Sequence, residues 1–95
     1  MNLNTKHVDG IKKNKLVLYA LSTCIWCRKT KMLLNELGVS YDYIDVDFLD
    51  SNEQDFAVEQ VKKFNPSGGF PTLVIDDKEA IRGFDEIKIR EVLEK

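Results

Sequence analysis

The six residues Leu16-Val-Leu-Tyr-Ala-Leu21 are apolar without interruption, and no other stretch constrains the fold as strongly. A strand with one face in water alternates polar and apolar residues, whereas an unbroken apolar strand has both faces covered, as in the middle of a parallel sheet. A parallel neighbour needs a crossover, and the next residues supply one. Ser22-Thr-Cys24 offers helix-cap chemistry. Ile25 to Leu37 then carries Cys27, Thr30, Leu33, Leu34 and Leu37 on one helical face, and Gly38 ends the helix. Tyr41 to Asp47 partly alternates and reads as a second strand, completing a right-handed βαβ unit.

Further along, Ser51-Asn-Glu-Gln54 fits a capping box, and Phe56, Ala57, Gln60, Val61 and Phe64 form one mostly apolar side of a helix over Asn52 to Phe64. Asn65-Pro-Ser-Gly-Gly69 breaks it. Pro71 to Ile75, a turn at Asp76-Asp77 and Lys78 to Ile81 read as a hairpin. Gly83 precedes a last helix, Asp85 to Glu94, that buries Ile89, Val92 and Leu93. The order is β-α-β-α-β-β-α, an α/β class domain over residues 15–95. Residues 1–14 are polar, are punctuated by Gly10 and Asn14, and read as a loose leader.

Ninety-five residues hold one domain with one modest core. With 14 basic and 16 acidic residues the net charge is -2, so the chain has no broad attraction for phosphate backbones or anionic lipid, and neither nucleic acid nor membrane is an expected partner. The longest apolar run is far below the roughly 18 residues of a membrane span, and the leader has no hydrophobic signal core. A cytoplasmic location is therefore expected. There thiols are kept reduced, so a cysteine pair is more often catalytic or metal-binding than a structural cross-link.

Cys24-Ile-Trp-Cys27 falls where the apolar strand turns into a helix. Unpaired backbone N–H groups and the macrodipole favour negative charge at a helix N-terminus, so a thiolate at Cys24 is stabilised there and available as a nucleophile at neutral pH. Cys27 follows about one turn later, on the face shared with Leu34 and Leu37, within reach of a mixed disulfide on Cys24. Cys24 is thus the expected nucleophile and Cys27 the resolving thiol. Zinc would need four ligands, and beyond these cysteines the chain has only His7 in the leader. A permanent disulfide across so short a loop removes little chain entropy. Arg28, Lys29 and Lys31 place cations near the positive end of the helix dipole, where they are disfavoured. They either support the thiolate or attract an acidic partner, unless they are simply a solvated face. Trp26 offers an aromatic surface beside the reactive sulfur.

Leu16-Val-Leu-Tyr19, Ser22-Thr-Cys-Ile-Trp-Cys27, Gly69-Phe-Pro-Thr72 and Arg82-Gly-Phe84 together resemble the glutaredoxin family and its relatives, the NrdH redoxins. The resemblance runs from about Lys15 to Leu93. It implies a thioredoxin-like fold: a four-stranded mixed sheet of order 2-1-3-4 with three helices on its two faces. It also implies that Pro71 is cis beside the cysteines, against the ~5–6% of X–Pro bonds that are cis in general. Phe70 would then pair through its N–H and C=O with an extended substrate segment. Trp26, Phe70, Pro71, Thr72, Gly83, Phe84 and Asp85 are accordingly the candidate substrate-binding residues, with Thr23 and Arg28 supporting the thiolate.

The function this resemblance implies is a dithiol electron carrier that reduces protein disulfides, working as a monomer with no resident cofactor. Glutathione-using members carry a lysine three positions before the first cysteine, where this chain has Leu21. They also carry a Gly-Gly pair followed by a small residue and aspartate, where this chain has Arg82-Gly-Phe-Asp85. Phe84 is closer to the Gly-Phe of NrdH redoxins. The expected reductant is therefore a thioredoxin-reductase-like protein. Glutathione is the rival co-substrate, with Arg82 or Arg28 standing in for the missing cation. Two further readings are a glutaredoxin-type carrier bridging an iron–sulfur cluster between subunits and a binding module without turnover.

Overall fold

The computed structural model describes residues 3–94; Met1 and Asn2 of the leader and Lys95 of the domain lie outside them. The elements follow the chain as β1 (Lys6–Val8), β2 (Leu16–Ala20), α1 (Ile25–Leu37), β3 (Tyr41–Asp45), a 3-10 turn (Val46–Phe48), α2 (Ser51–Phe64), β4 (Thr72–Ile75), β5 (Glu79–Arg82) and α3 (Glu86–Leu93). The five strands form one sheet in the order β1-β3-β2-β4-β5.

The apolar run becomes the central strand. β2 pairs parallel with β3 and antiparallel with β4, and both of its faces are covered. Leu16, Leu18 and Ala20 sink into a core with Leu33 and Leu34 of α1, Leu73 and Ile75 of β4, and Ile89 and Leu93 of α3. Val17 and Tyr19 turn the other way, onto a smaller cluster with Ile44, Val46 and Ala57 of α2. Two helices thus cover one face and α2 the other. This double cover is why the sequence could dispense with alternation here.

The thioredoxin-like arrangement implied by the resemblance is present as β3-β2-β4-β5, and a fifth strand is added to it. Within the stretch read as a loose leader, β1 pairs antiparallel with β3, Lys6 opposite Tyr43 and Val8 opposite Tyr41. His7 Nδ1 lies 2.6 Å from Asp42 Oδ1. Further on, Ile11 N–H donates to Gly38 O (2.8 Å) and Ser40 N–H to Ile11 O (3.0 Å). The physical reason is the edge of the sheet. Without β1, β3 would present a row of open N–H and C=O groups, and a short polar strand closes it. Three residues with Lys6 and His7 among them leave no periodicity to read.

Other boundaries move by a residue or two. The expected strand to Asp47 ends at Asp45, where the 3-10 turn begins. The α2 capping box sits one residue earlier than the Ser51–Gln54 register: Asp50 accepts from Glu53 N–H (2.8 Å) and Glu53 accepts from Asp50 N–H (3.3 Å). Two carboxylates at the positive end of the helix dipole favour that register over a hydroxyl and an amide. At the hairpin, Asp76 and Asp77 both have positive φ, 54° and 57°, as the central pair of a turn that Lys78 N–H closes onto Ile75 O (3.1 Å).

Candidate active site

β2 delivers the chain to the top of the sheet, and the turn Leu21–Cys24 redirects it into α1. Cys24 N–H donates to Leu21 O (3.2 Å), which closes that turn. A second tie holds it from outside: Asp47, just beyond β3, accepts from Ser22 N–H (2.8 Å) and from the Ser22 hydroxyl. These Ser22 donors hold the Asp47 carboxyl below the usual carboxylate range. The chain then enters α1 with Cys24 as N-cap, extended at φ -84° and ψ 118°.

In that position the Cys24 sulfur does what an N-cap side chain does, accepting from the Cys27 N–H at 3.2 Å. The two sulfurs are otherwise unlike. Cys24 is half-buried and Cys27 is fully buried, 0% exposed, among Leu34, Leu73 and Ile89. Burial pushes the Cys27 thiol up to about 12; the hydrogen bond and charge of Cys24 add to this, while the Leu21 backbone and the Lys31 ammonium pull the other way. Neither cysteine is in a disulfide.

The three cations of α1 go to three different places. Arg28 is exposed. Lys29 lies over the Trp26 ring, Nζ 4.8 Å from the centroid. Lys31 reaches down to Asp45 Oδ1 (3.0 Å) with its Nζ 4.2 Å from the Tyr43 ring, so it is the partly buried member of the set. Thr23 is exposed on the turn before Cys24.

The Phe70–Pro71 bond is cis, as the resemblance implied. Pro71 O accepts from Gly83 N–H (2.8 Å), tying the two candidate segments together. Phe70 is half-buried and touches both hydrophobic clusters. Thr72 differs from a side chain held out to a ligand: it is fully buried, its hydroxyl donating to Gly69 O (2.8 Å) and accepting from Asn65 Nδ2 (3.1 Å). Asp85 is engaged as the N-cap of α3, accepting from Lys88 N–H (3.1 Å). Phe84 stacks on Trp26, with ring centroids 6.0 Å apart and planes 21° apart, which joins the loop before α3 to the cysteine motif.

The structure therefore brings Cys24, Cys27, Trp26 and Phe84 together at the start of α1 and ties Gly83 to Pro71. It leaves Thr72 and Asp85 with internal partners. Sequence reading missed Asp47 and Asn65. Asp47 is 25 residues from Ser22, and no local pattern reports such a contact. Asn65 has a faint local signal, as an amide in a Pro-Gly loop that bonds its own turn.

The chain matches the model of the glutaredoxin family over residues 16–80. A glutaredoxin-like 8.6 kDa protein, uncharacterized, from the rubredoxin operon of Clostridium pasteurianum is 31% identical over 78 residues, 82% of this chain and 96% of the relative. The glutaredoxin of Methanosarcina mazei Go1 is 53% identical with a TM-score of 0.88, covering 94% of this chain and 86% of that one. The methanoredoxin of Methanosarcina acetivorans is 52% identical with a TM-score of 0.86, covering 88% of each. The family model spans most of the chain and these relatives match it over most of its length, and the chain belongs to the glutaredoxin family.

Proposed function

We propose that the protein is a dithiol thiol–disulfide oxidoreductase that reduces protein disulfides, with Cys24 as nucleophile and Cys27 as resolving thiol. The observation that carries this reading is the asymmetry of the pair: one sulfur caps the helix and reaches solvent, and the other is fully buried one turn behind it. In the first step the Cys24 thiolate attacks a partner disulfide, forming one S–S bond and releasing one partner thiolate. In the second, Cys27 attacks Cys24 Sγ while its proton passes to the leaving partner sulfur, forming the Cys24–Cys27 disulfide and releasing the second partner sulfur as a thiol. Two electrons pass from the dithiol to the partner, which ends as two thiols. The Cys27 N–H stabilises the anionic sulfur before the first step. Phe70 lies just beyond the β4–β5 ladder, which starts at Thr72 opposite Arg82, and offers its backbone to an extended substrate segment.

For the return of electrons we favour a thioredoxin-reductase-like protein over glutathione. Leu21 occupies the position of the glutathione-binding lysine and packs against the Ile44–Val46–Ala57 cluster, so it presents no charge there. Supplying the oxidised protein with either glutathione plus glutathione reductase or thioredoxin reductase plus NADPH, and following NADPH, tests this. Recycling by glutathione alone overturns that preference. For the chemistry itself, Cys24→Ser abolishes disulfide reduction and Cys27→Ser accumulates a mixed disulfide on Cys24. Turnover surviving in Cys24→Ser overturns the assignment.

A further inference from the structure

Beside the Trp26–Phe84 stack, between α1 and α3, runs an open groove of about 470 Å³ lined by Lys29, Met32, Leu33, Glu36, Phe84 and Glu86. We propose that it docks an extended segment of a protein partner carrying an acidic residue near its reactive disulfide and a basic residue about three positions further out. This rests on the reading of Cys24 as the attacking sulfur and adds to it the class of partner.

Three observations lead there. The first is apolar exposure where solvation alone would place polar residues. Ile25 is 63%, Trp26 54% and Met32 63% exposed, three large apolar side chains within eight residues of one helix. Spacings of three and four residues align Trp26, Lys29, Leu33 and Glu36 along α1.

The second is continuity with the site. Phe84 lines the groove and stacks on Trp26, which lies between the two cysteines in sequence. A partner bonded through Cys24 that continues along α1 enters the groove directly.

The third is a charge gradient along it. At the Cys24 end the first turn of α1 has no acidic residue, and Arg28 and Lys29 follow. At the far end a single guanidinium, Arg90, meets three carboxylates: Glu86 at 2.9 Å, Glu94 at 3.1 Å and Glu36 at 3.3 Å. Three negative charges against one positive leave that end negative. Lys29 and Glu36 are seven residues apart, roughly 10 Å at 1.5 Å per helical residue, which an extended segment spans in about three residues at ~3.3 Å each. Apolar side chains between the two charges would then lie over Met32, Leu33 and Phe84.

Two peptides of identical composition test this, each with one cysteine disulfide-bonded to free cysteine. One runs acidic, apolar, apolar, basic outward from its disulfide, and the other carries the same residues in reverse order. Bis(2-hydroxyethyl) disulfide serves as the small substrate. At low salt the reduced protein is expected to favour the acidic-first peptide about fivefold in kcat/KM, with the preference falling as salt is raised. Dithiothreitol shows no such preference. Lys29→Glu combined with Glu36→Lys should erase or reverse it. Equal rates for the two peptides, or a preference for the basic-first one, overturn the groove proposal while leaving the cysteine assignment standing. Failure to reduce any of the three disulfides overturns both. A concentration-dependent dimer that Met32→Glu disrupts would assign the groove to a second copy of the chain and also overturn it.

Discussion

The Cys27 backbone N–H donates to the Cys24 sulfur at 3.2 Å, so one atom is both the cap of α1 and the solvent-facing half of the cysteine pair. That double role links folding to chemistry. A helix N-terminus demands an acceptor at this position, and the acceptor used here is the sulfur we propose as nucleophile. The resolving sulfur is fixed by the opposite requirement, because the helix face that carries Cys27 also carries Leu33 and Leu34 into the core. The proposed order of attack rests on this asymmetry, set where the central strand β2 hands the chain to α1.

The raised Cys27 thiol makes stability depend on alkaline pH in a stated direction. Its pKa rises from 9.0 to about 12 on folding, so above pH 9 the unfolded chain gives up a proton that the folded one keeps. The contribution is complete below pH 9 and is lost as pH rises towards 12, at roughly 1.4 kcal/mol per pH unit. Denaturant unfolding of the reduced protein between pH 8 and 11 should therefore show a steeper decline than Cys27→Ala, whose constant cavity cost does not vary with pH. Parallel declines in the two proteins would contradict the buried-thiol account.

Asp47 acts on the site through Ser22. Removing the carboxylate in Asp47→Ala leaves the Ser22 N–H and hydroxyl without their partner, with a stability loss of about 1 kcal/mol. The turn that aims Cys24 should loosen, and disulfide reduction should slow several-fold. Because the Asp47 carboxyl is held below its usual range, its contribution is present above the ordinary carboxylate pKa and fades as pH falls through the lowered one. The wild-type advantage over Asp47→Asn should accordingly shrink on acidification, as thermal unfolding at a series of pH values would record.

Gly10 tests whether the N-terminal segment belongs to the domain. A Cβ there would lie 2.6 Å from Gly38 O and from Val39 C, both backbone atoms, so Gly10→Ala must push the segment away from the sheet. A loss of ~1–3 kcal/mol is expected. Amide exchange at Lys6–Val8 should rise to that of an unpaired segment while the core strands stay protected. Unchanged protection would contradict the placement of β1.

Asn65 supports the loop ahead of Pro71 from inside. It is 4% exposed, and its amide serves Thr72 Oγ1 at 3.1 Å and Gly69 O at 3.4 Å while accepting from Ser67 Oγ at 2.7 Å. Asn65→Ala strands buried polar atoms and should cost ~1–3 kcal/mol. Asn65→Asp, which keeps the acceptor but loses the donors, should recover little of it in a chemical denaturation series.

What could be read from the residues alone follows physical range. α1 begins and ends where Cys24 and Gly38 put it, because caps are local. The apolar run located the central strand, because double cover removes alternation. β1 could not be read, since its only reason to exist is the open edge of β3, a neighbour more than thirty residues away. The same holds for Asp47 with Ser22 and for Lys31 with Asp45: charged side chains announce no partner until the sheet brings one. Thr72 is a case of the reverse kind, a residue placed in the site by resemblance whose hydroxyl is spent inside the loop.

In the proposed mechanism Cys24 attacks and Cys27 waits. The most direct measurement is alkylation of the fully reduced native protein with a limiting amount of iodoacetamide at pH 7, followed by peptide mass mapping. The account predicts label on Cys24 with Cys27 unmodified until the protein is unfolded. Label appearing on Cys27 as fast as on Cys24, or faster, would contradict it.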